Sequence, residues 1–529
     1  MPRQAPPFRP VHILWAVAAL FLLAGLASRM APAAAQDPAP AVPVVDTAGA
    51  SMQAADSARA TGVGAAPDSA LPLAGVQGRR LGETRSDVDV PFYQRLVSVL
   101  GLIAILLIAW ALSVERRRVD WRILAWGLGL QLMFALFILK TPIGEAMFAA
   151  LNDVIVALLG FTTDGARFLF GNLVDNAVPV RGAGEGAFAQ TGAFFAFSVL
   201  PTIIFFSSLM TLLYHLGIMQ AMVKGMAWVM MRTMRTSGAE TLSAAGNIFV
   251  GQTEAPLMIK PFVERMTMSE LNAVMTAGFA TVAGGVMAAY VGLLVAHFPD
   301  IAGHLLAASV MSAPAALVVA KLMYPEREEP VTRSSLKVTV ESPDANVIDA
   351  AARGASEGLT LALNVGAMLL AFIAIIALLN ALIALVAGWT GLDGLLIATG
   401  ALAPGQHLTL EAMLGWILAP LAWLMGVPWG DAVEVGSLLG IKTVANEFVA
   451  YLQLSAMLAG GADLSPRSIV IATYALAGFA NFSSIAIQIG GIGGIAPSRR
   501  SDLSRLGLRA MIGGSLAAFL TATIAGILV

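Results

Sequence analysis

Apolar residues run along this chain in repeated blocks of about twenty, the length a helix needs to cross a bilayer. The blocks predict spans over Tyr93–Ser113, Ile123–Leu139, Ala193–Tyr214, Leu271–Val295, Ile301–Met323, Glu357–Ala387, Ser468–Ile489 and Leu506–Val529. Between the second and third, the pattern breaks up and an irregular outer stretch is expected. The expected fold is all-α and polytopic, with eight transmembrane spans.

Composition sharpens this. Of 529 residues, 58% are hydrophobic and 12% charged, with a mean hydropathy of +0.79. A soluble domain carries about a quarter charged residues, so the lipid bilayer is the expected solvent. The net charge of −2 gives no reason to expect a nucleic-acid partner. With no cysteine, disulfides, thiolate metal sites and cysteine nucleophiles are excluded.

At the start, Arg3 and Arg9 precede the apolar run Val11–Ala27, and "APAAAQ" follows with a small-residue cut before Gln36. Residues 1–35 read as a signal peptide or an uncleaved N-terminal anchor. Either places residues 36–92 outside the cytoplasm. That segment, rich in Ala, Pro, Ser and Asp, buries too little to offset its ordering entropy and is expected to be disordered.

Basic residues in short loops mark the cytoplasmic side. Arg116, Arg117 and Arg118 put the end of the first span inside, and residues 93–215 form scaffold spans. The Met-rich segment from Gly217 to Arg235, with Lys224, Arg232 and Arg235 spaced along it, reads as an interfacial helix or a plain cytoplasmic connector. Beyond it, "AGNIFVGQTEAPLMIKPF" (Ala245–Phe262) has basic residues on both sides, so both flanks lie inside and the segment is re-entrant. Ten residues of helix reach about 15 Å, half the hydrocarbon thickness. Gly246 and Gly251 allow the turn.

Residues 216–323 therefore make a first unit of interfacial helix, hairpin one and two spans. A charged cytoplasmic connector, 324–355, and a scaffold span with its outer loop, 356–408, lead to residues 409–529. There "GIKTVANEFVAY" (Gly440–Tyr451) has no basic flank before it and only Arg467 near after it. It reads as hairpin two, entering from the opposite face and followed by two more spans. The order hairpin, span, span thus occurs twice with opposite orientation. Such inverted repeats are the architecture of secondary transporters, with substrate and ion held where the halves meet.

Each hairpin carries an acid, Glu254 and Glu447. A carboxylate at a helix centre costs up to about 3 kcal/mol on insertion scales, which roughly six Leu or Ile residues offset. A polar role is the default reading; capping a turn is the other. In "GFANFSSIAIQIGG", Asn481 and Ser484 share a helix face, as a site or as glue between helices. "TVAGG" (Thr281–Gly285) marks an unwound span or close packing through small residues. None of His12, His215, His297, His304 and His407 sits in a metal-binding spacing. No serine occupies a G-x-S-x-G elbow, so an enzyme is not expected.

Together, "GQTEAPLMIKPF", "GIKTVANEFVAY" and "GFANFSSIAIQIGGIGG" resemble the concentrative nucleoside transporter family, over about Tyr93 to Val529. The resemblance implies eight spans with two opposed re-entrant helical hairpins, in a homotrimer whose protomers each move nucleoside, driven by sodium or protons. By motif position, Gln252, Thr253 and Glu254 resemble residues that meet the nucleobase, and Val286 packs near the base. Glu447 resembles the acid that holds the ribose hydroxyls, Asn481 and Ser484 its partners, and Phe479 flanks sugar and base. The family's sodium ligands fall on Asn247, Val250, Thr281 and Val282. With the amide and a hydroxyl both present, sodium is the expected coupling ion and protons the alternative. The expected location is the bacterial inner membrane, with the mature N-terminus and the C-terminus extracytoplasmic. A channel or a non-transporting binder is the remaining alternative.

Overall fold

The computed structural model describes residues 92–175, 195–333 and 344–529, together with the backbone of two short antiparallel strands, Ala177–Pro179 and Phe188–Gln190. The signal-or-anchor reading and the expected disorder before Phe92 lie outside the described residues. Phe92 itself begins the first helix among the described residues.

Helix α1 spans Phe92–Ala111 and α2 Trp121–Lys140, the latter started by Asp120, whose carboxylate accepts from the Arg122 and Ile123 amides. The stretch expected to be irregular is instead helix α3, Pro142–Phe170. Thr141 caps its start, Pro142 fits the first turn where no N–H is needed, and Gly171 ends it at φ 58°. Its interrupting polar residues, Glu145, Asn152, Asp153 and Asp164, broke the apolar run in sequence without breaking the helix. Helices α4 (Leu200–His215) and α5 (Ile218–Met234) follow, joined through Gly217 at φ 82°. The segment read as an interfacial helix is thus helical.

Hairpin one opens with a capping box in which Ser237 and Glu240 satisfy each other's backbone amides at the start of α6, Gly238–Gly246. The return limb is tighter than expected: a 3-10 stretch, Ala255–Ile259, then one helical turn, Lys260–Val263. Pro256 and Pro261 explain this, since each removes a backbone donor.

The next span is broken. Helix α7, Met268–Ala280, stops at Thr281, and α8 starts again at Gly284 and runs to Leu294. The unwound reading of "TVAGG" holds. Helix α9, Ile301–Met323, is continuous. After the connector comes α10, Val347–Thr390, capped by Asn346 and ended at Gly391 with φ 72°. Its 44 residues reach about 66 Å.

Helix α11 (Leu410–Leu424) packs against α12 (Ala432–Val444), and α13 (Glu447–Ala459) follows α12 across a two-residue turn to complete hairpin two. The span expected at Ser468–Ile489 is two pieces: α14, Pro466–Leu476, and α15, Phe482–Ile495. Helix α16, Arg500–Leu528, closes the chain. Among the described residues, eight helical segments are long and apolar enough to cross a membrane. That number matches the expectation, but the Pro142–Val174 segment joins the set and the broken α14–α15 pair leaves it. The order of short hairpin, broken helix and continuous helix occurs twice, in α6–α9 and in α12–α16.

Burial separates centre from periphery. The most apolar window of α9 is 89% buried, whereas that of α10 is 11% buried. Helix α10 holds to the rest chiefly through α4, with Asn380 also bonded to Leu410 and Glu411 of α11. A Cβ at Gly354 would come within 2.7 Å of Ser208 Cα, and one at Gly358 within 2.8 Å of Ile204 Cα. This small-xxx-small pair lets two backbones touch, and the Ser208 hydroxyl donates to the Ala351 carbonyl at 2.8 Å.

A buried ionic cluster fastens the base of hairpin one. Lys321, at the end of α9, pairs with Glu240 at 2.7 Å and Glu326 at 3.1 Å and donates to Ser269 at 3.0 Å. Ser237 donates to Glu270 at 2.5 Å. The connector joins in, its Thr332 carbonyl and hydroxyl accepting from the Gly238 and Ala239 amides.

Candidate functional site

Hairpin two presents its acid at the start of a helix. Asn446 caps α13, accepting from the Val449 amide at 2.9 Å, and Glu447 is the helix's first residue. Glu447 is buried, and both its oxygens are engaged. The Tyr290 hydroxyl of α8 donates to Oε1 at 2.9 Å, and the Asn481 amide nitrogen donates to Oε2 at 2.9 Å.

Asn481 stands in the α14–α15 break as the N-cap of α15. Its Oδ1 accepts from the Ser484 amide at 2.9 Å and from the Ser483 hydroxyl at 2.7 Å. With the oxygen committed to the cap, the amide nitrogen must face Glu447.

The network continues into hairpin one. Gln252 Nε2 donates to Ser484 Oγ at 3.2 Å. Gln488 Nε2 donates to Gln252 Oε1 at 3.0 Å and to the Met275 carbonyl at 3.1 Å. All these side chains are buried. Gly278 makes room for them: a Cβ there would stand 2.8 Å from Gln488 Nε2 and 3.0 Å from Gln252 Cβ. The two helix breaks also touch, since a Cβ on Gly478 would meet the Phe279 carbonyl oxygen at 2.8 Å.

Of the sequence-predicted substrate residues, Gln252, Glu447, Asn481 and Ser484 join this network. Val286 lies buried one turn before Tyr290 on α8, and Phe479 is half-buried in the α14–α15 break. Thr253 and Glu254 lie outside the network. Thr253 donates to Glu254 Oε1 at 3.0 Å, and Glu254 is exposed on the turn of hairpin one. Sequence reasoning passed over Tyr290 and left Gln488 out of the site. The signal for Tyr290 was its place four residues after Val286, on the same helix face.

The four residues predicted to hold an ion lie where hairpin one meets the α7–α8 break. The Gly284 amide donates to the Phe249 carbonyl at 3.0 Å, which ties residues 247–250 to residues 281–284. Asn247, Thr281 and Val282 are buried, and Val250 is half-buried. Asn247 Nδ2 donates to the Ser243 carbonyl at 3.0 Å, while its Oδ1 is buried without a hydrogen-bond partner. An orphan carbonyl of this kind is costly unless something fills the place, and a hard cation suits it. Thr281 Oγ1 spends its proton on the Ala277 carbonyl at 2.9 Å, so its lone pairs remain for a cation.

Two broken helices that meet beside polar hairpins, inside a bundle of apolar helices, define a multi-pass membrane transporter of the secondary type. Comparison with known proteins narrows the class. Residues 100–173 and 304–526 match the N-terminal and C-terminal parts of the Na+ dependent nucleoside transporter family, and residues 196–296 match a nucleoside-recognition "Gate" domain. An uncharacterized transporter of Haemophilus influenzae is 44% identical over 437 residues, covering 82% of this chain and 98% of its own. The sodium/nucleoside cotransporter 1 of Rattus norvegicus is 42% identical over 82% of this chain and 64% of its own length. The transporter CNTnw, solved in an inward-facing substrate-bound state, superposes with a TM-score of 0.72 at 42% identity, covering 82% of this chain and 98% of that one. A variant of it in an outward-facing state gives 0.71. This chain belongs to the concentrative nucleoside transporter family, which is a family of transporters and not of enzymes.

Proposed function

We propose that this protein imports nucleosides by symport with sodium, binding substrate between the two hairpins and exposing it to each side of the membrane in turn. The observation that carries the reading is Glu447, a buried carboxylate held by Tyr290 and Asn481 and linked through Ser484 to Gln252 of hairpin one. A carboxylate accepts from two donors at once, which suits the paired hydroxyls of ribose. The amides of Gln252 and Gln488 offer the donors and acceptors that a nucleobase edge requires. A site built around such groups disfavours analogues lacking the hydroxyls, because its own polar atoms are then left unpaired. Thr253, Glu254, Val286 and Phe479 complete the base and sugar contacts in this reading.

Sodium sits at Asn247 Oδ1, Thr281 Oγ1 and the carbonyls of Val250 and Val282. Buried, oxygen-only donors at an interrupted helix are the setting in which transporters hold such ions. The drive is sufficient. One cation falling through 100 mV contributes about 2.3 kcal/mol, and a tenfold gradient adds about 1.4 kcal/mol. Together these sustain several-hundredfold accumulation.

In the same reading the hairpins are re-entrant from opposite faces of the bacterial inner membrane, and both mature termini lie outside the cytoplasm. The protein works as a homotrimer. The exposed leucines of α10, Leu363, Leu370 and Leu385 among them, give it an apolar face for lipid or a neighbouring copy. Uptake of labelled uridine into proteoliposomes tests the function. Accumulation above equilibrium with an inward sodium gradient, and not with choline at matched pH, is the expected result. Accumulation driven instead by a pH gradient would replace sodium with protons. Mere equilibration would make the protein a channel, and saturable binding without flux a binder.

A further inference from the structure

Lys442 is a buried basic residue that neither the substrate network nor the basal ionic cluster uses. It lies in the last turn of α12, and its side chain is fully buried. Its ammonium donates to the Ala475 carbonyl at 2.8 Å and stands 5.7 Å from the centre of the Phe519 ring on α16. Among the described residues no carboxylate pairs with it directly. Ala475 is in the last turn of α14, where the chain stops being helical and the final carbonyls lose their usual amide partners. The hydroxyl of Tyr451, on the second limb of hairpin two, donates to the Thr473 carbonyl in the same turn at 2.7 Å.

In each half, the first limb of a hairpin and the first piece of a broken helix end near one another. Helix C-termini carry partial negative charge, so two that converge favour a cation between them. In the hairpin-one half these ends are those of α6 and α7, and α6 carries no Lys or Arg. There Asn247, the C-cap of α6, has a buried Oδ1 without a partner, and Thr281, the C-cap of α7, carries a hydroxyl. In the hairpin-two half the ends are those of α12 and α14. The C-caps there are Ala445 and Ala477, which offer no side-chain oxygen. That half supplies Lys442 instead.

We propose that Lys442 is a tethered cation that does for hairpin two what the mobile coupling ion does for hairpin one. It pins the end of α12 to the end of α14 and thereby positions Glu447 for the ribose hydroxyls. Lys442 and Glu447 are five residues apart in sequence, on either side of the hairpin turn. Lys442 is a positioning residue, and its effect passes through Glu447. The comparison with a mobile ion rests on the sodium reading above.

The test is binding of uridine and of 2′,3′-dideoxyuridine to the purified full-length protein in saturating sodium, for the parent, Lys442→Met and Lys442→Gln. The glutamine variant loses the charge and keeps an N–H donor, on a side chain one atom shorter. Both variants are expected to lose the parent's preference for uridine by about tenfold or more, the worth of one charge-assisted hydrogen bond, while dideoxyuridine affinity changes far less. A merely structural role would weaken both ligands alike, and that result would overturn the proposal. So would a glutamine variant with the parent's preference intact, and this variant carries the test if the methionine variant does not fold. Exchanging sodium for choline with the parent protein tests the ion reading separately, because the uridine preference is measured between ligands at one fixed ionic composition.

Discussion

Asn481 holds Glu447 and a helix at the same time. Its amide nitrogen donates to Glu447 Oε2 at 2.9 Å, and its carbonyl oxygen accepts from the Ser484 amide at 2.9 Å to start α15. One side chain therefore couples the carboxylate of hairpin two to the restart of a broken helix. The first two turns of α15 carry Ser484 and Gln488, which meet Gln252 of hairpin one. Five side chains, those of Glu447, Asn481, Ser484, Gln488 and Gln252, thus bridge the two hairpins.

Replacing Asn481 by Asp separates its two jobs. Aspartate is as good an N-cap as asparagine, so α15 should keep its start. The donor to Glu447 becomes a second acceptor, and two carboxylates then compete for one place. Uridine affinity should fall by about tenfold to a hundredfold, the loss of a hydrogen bond to a charged group. Thermal unfolding should move little by comparison. Calorimetric binding and a melting curve check both, and near-parent affinity would remove Asn481 from the site. Glu447→Gln should be harsher, abolishing uptake while expression and assembly persist.

Tyr290→Phe removes a single oxygen. The ring should stay, because it stacks on Tyr451 with centroids 4.5 Å apart and meets Phe448 edge-on at 5.2 Å. Glu447 Oε1 then loses its donor. Nucleosides with intact ribose hydroxyls can compensate and 2′,3′-dideoxynucleosides cannot. The variant is therefore expected to widen the gap between the two ligands. Competition assays with the pair measure it, and a uniform loss for both would mean that Tyr290 serves packing alone.

Much of this was legible in the sequence for one physical reason: a polar atom in an apolar run has to be explained. Gln252, Glu447, Asn481 and Ser484 stood out on that ground, while basic flanks singled out the first hairpin segment and the lack of them the second. Tyr290 was hidden because an aromatic residue in a span reads as core, and only its hydroxyl distinguishes it. Lys442 was hidden because it lies inside the hairpin-two motif, where the acid Glu447 drew the attention. Helix α3 was missed because its acids and amides lie along one long helix instead of in loops. The break in α14–α15 was missed because Ala477 to Asn481 keeps the hydropathy high while the hydrogen bonding stops. Glu254 stood out on the same ground, and it lies exposed on the turn of hairpin one, outside the hydrogen-bonded network.

Lys321→Met tests the cluster below hairpin one. It would leave Glu240, which is nearly inaccessible, without its cation while Ser237 and Glu270 stay in place. Breaking a buried pair from one side costs about 3–5 kcal/mol. A marked drop in melting temperature and in yield of folded protein is expected. The double variant Lys321→Met, Glu240→Gln should recover part of the loss, because the stranded charge is then removed. No recovery would mean that Lys321 acts by packing or through Glu326 instead.

Asn247→Ala and Thr281→Ala should act on sodium and spare the nucleoside site. Each removes one oxygen beside the α7–α8 break, whereas Glu447 and its two direct partners, Tyr290 and Asn481, belong to α13, α8 and the start of α15. The sodium concentration for half-maximal uptake should rise by about tenfold or more, taking a lost ligand as comparable to a strong hydrogen bond. Uridine affinity extrapolated to saturating sodium should return towards the parent value. Thr281→Ser keeps the hydroxyl and removes only a methyl, so its sodium dependence should stay close to the parent. Asn247→Asp is the most informative of the set. It places a formal charge where Oδ1 is buried without a partner, so at neutral pH sodium should bind more tightly and leave more slowly. Maximal uptake should then fall even as half-saturation improves, since an ion that does not leave arrests the cycle. If all four variants kept the parent's sodium dependence, the ion would have to bind elsewhere.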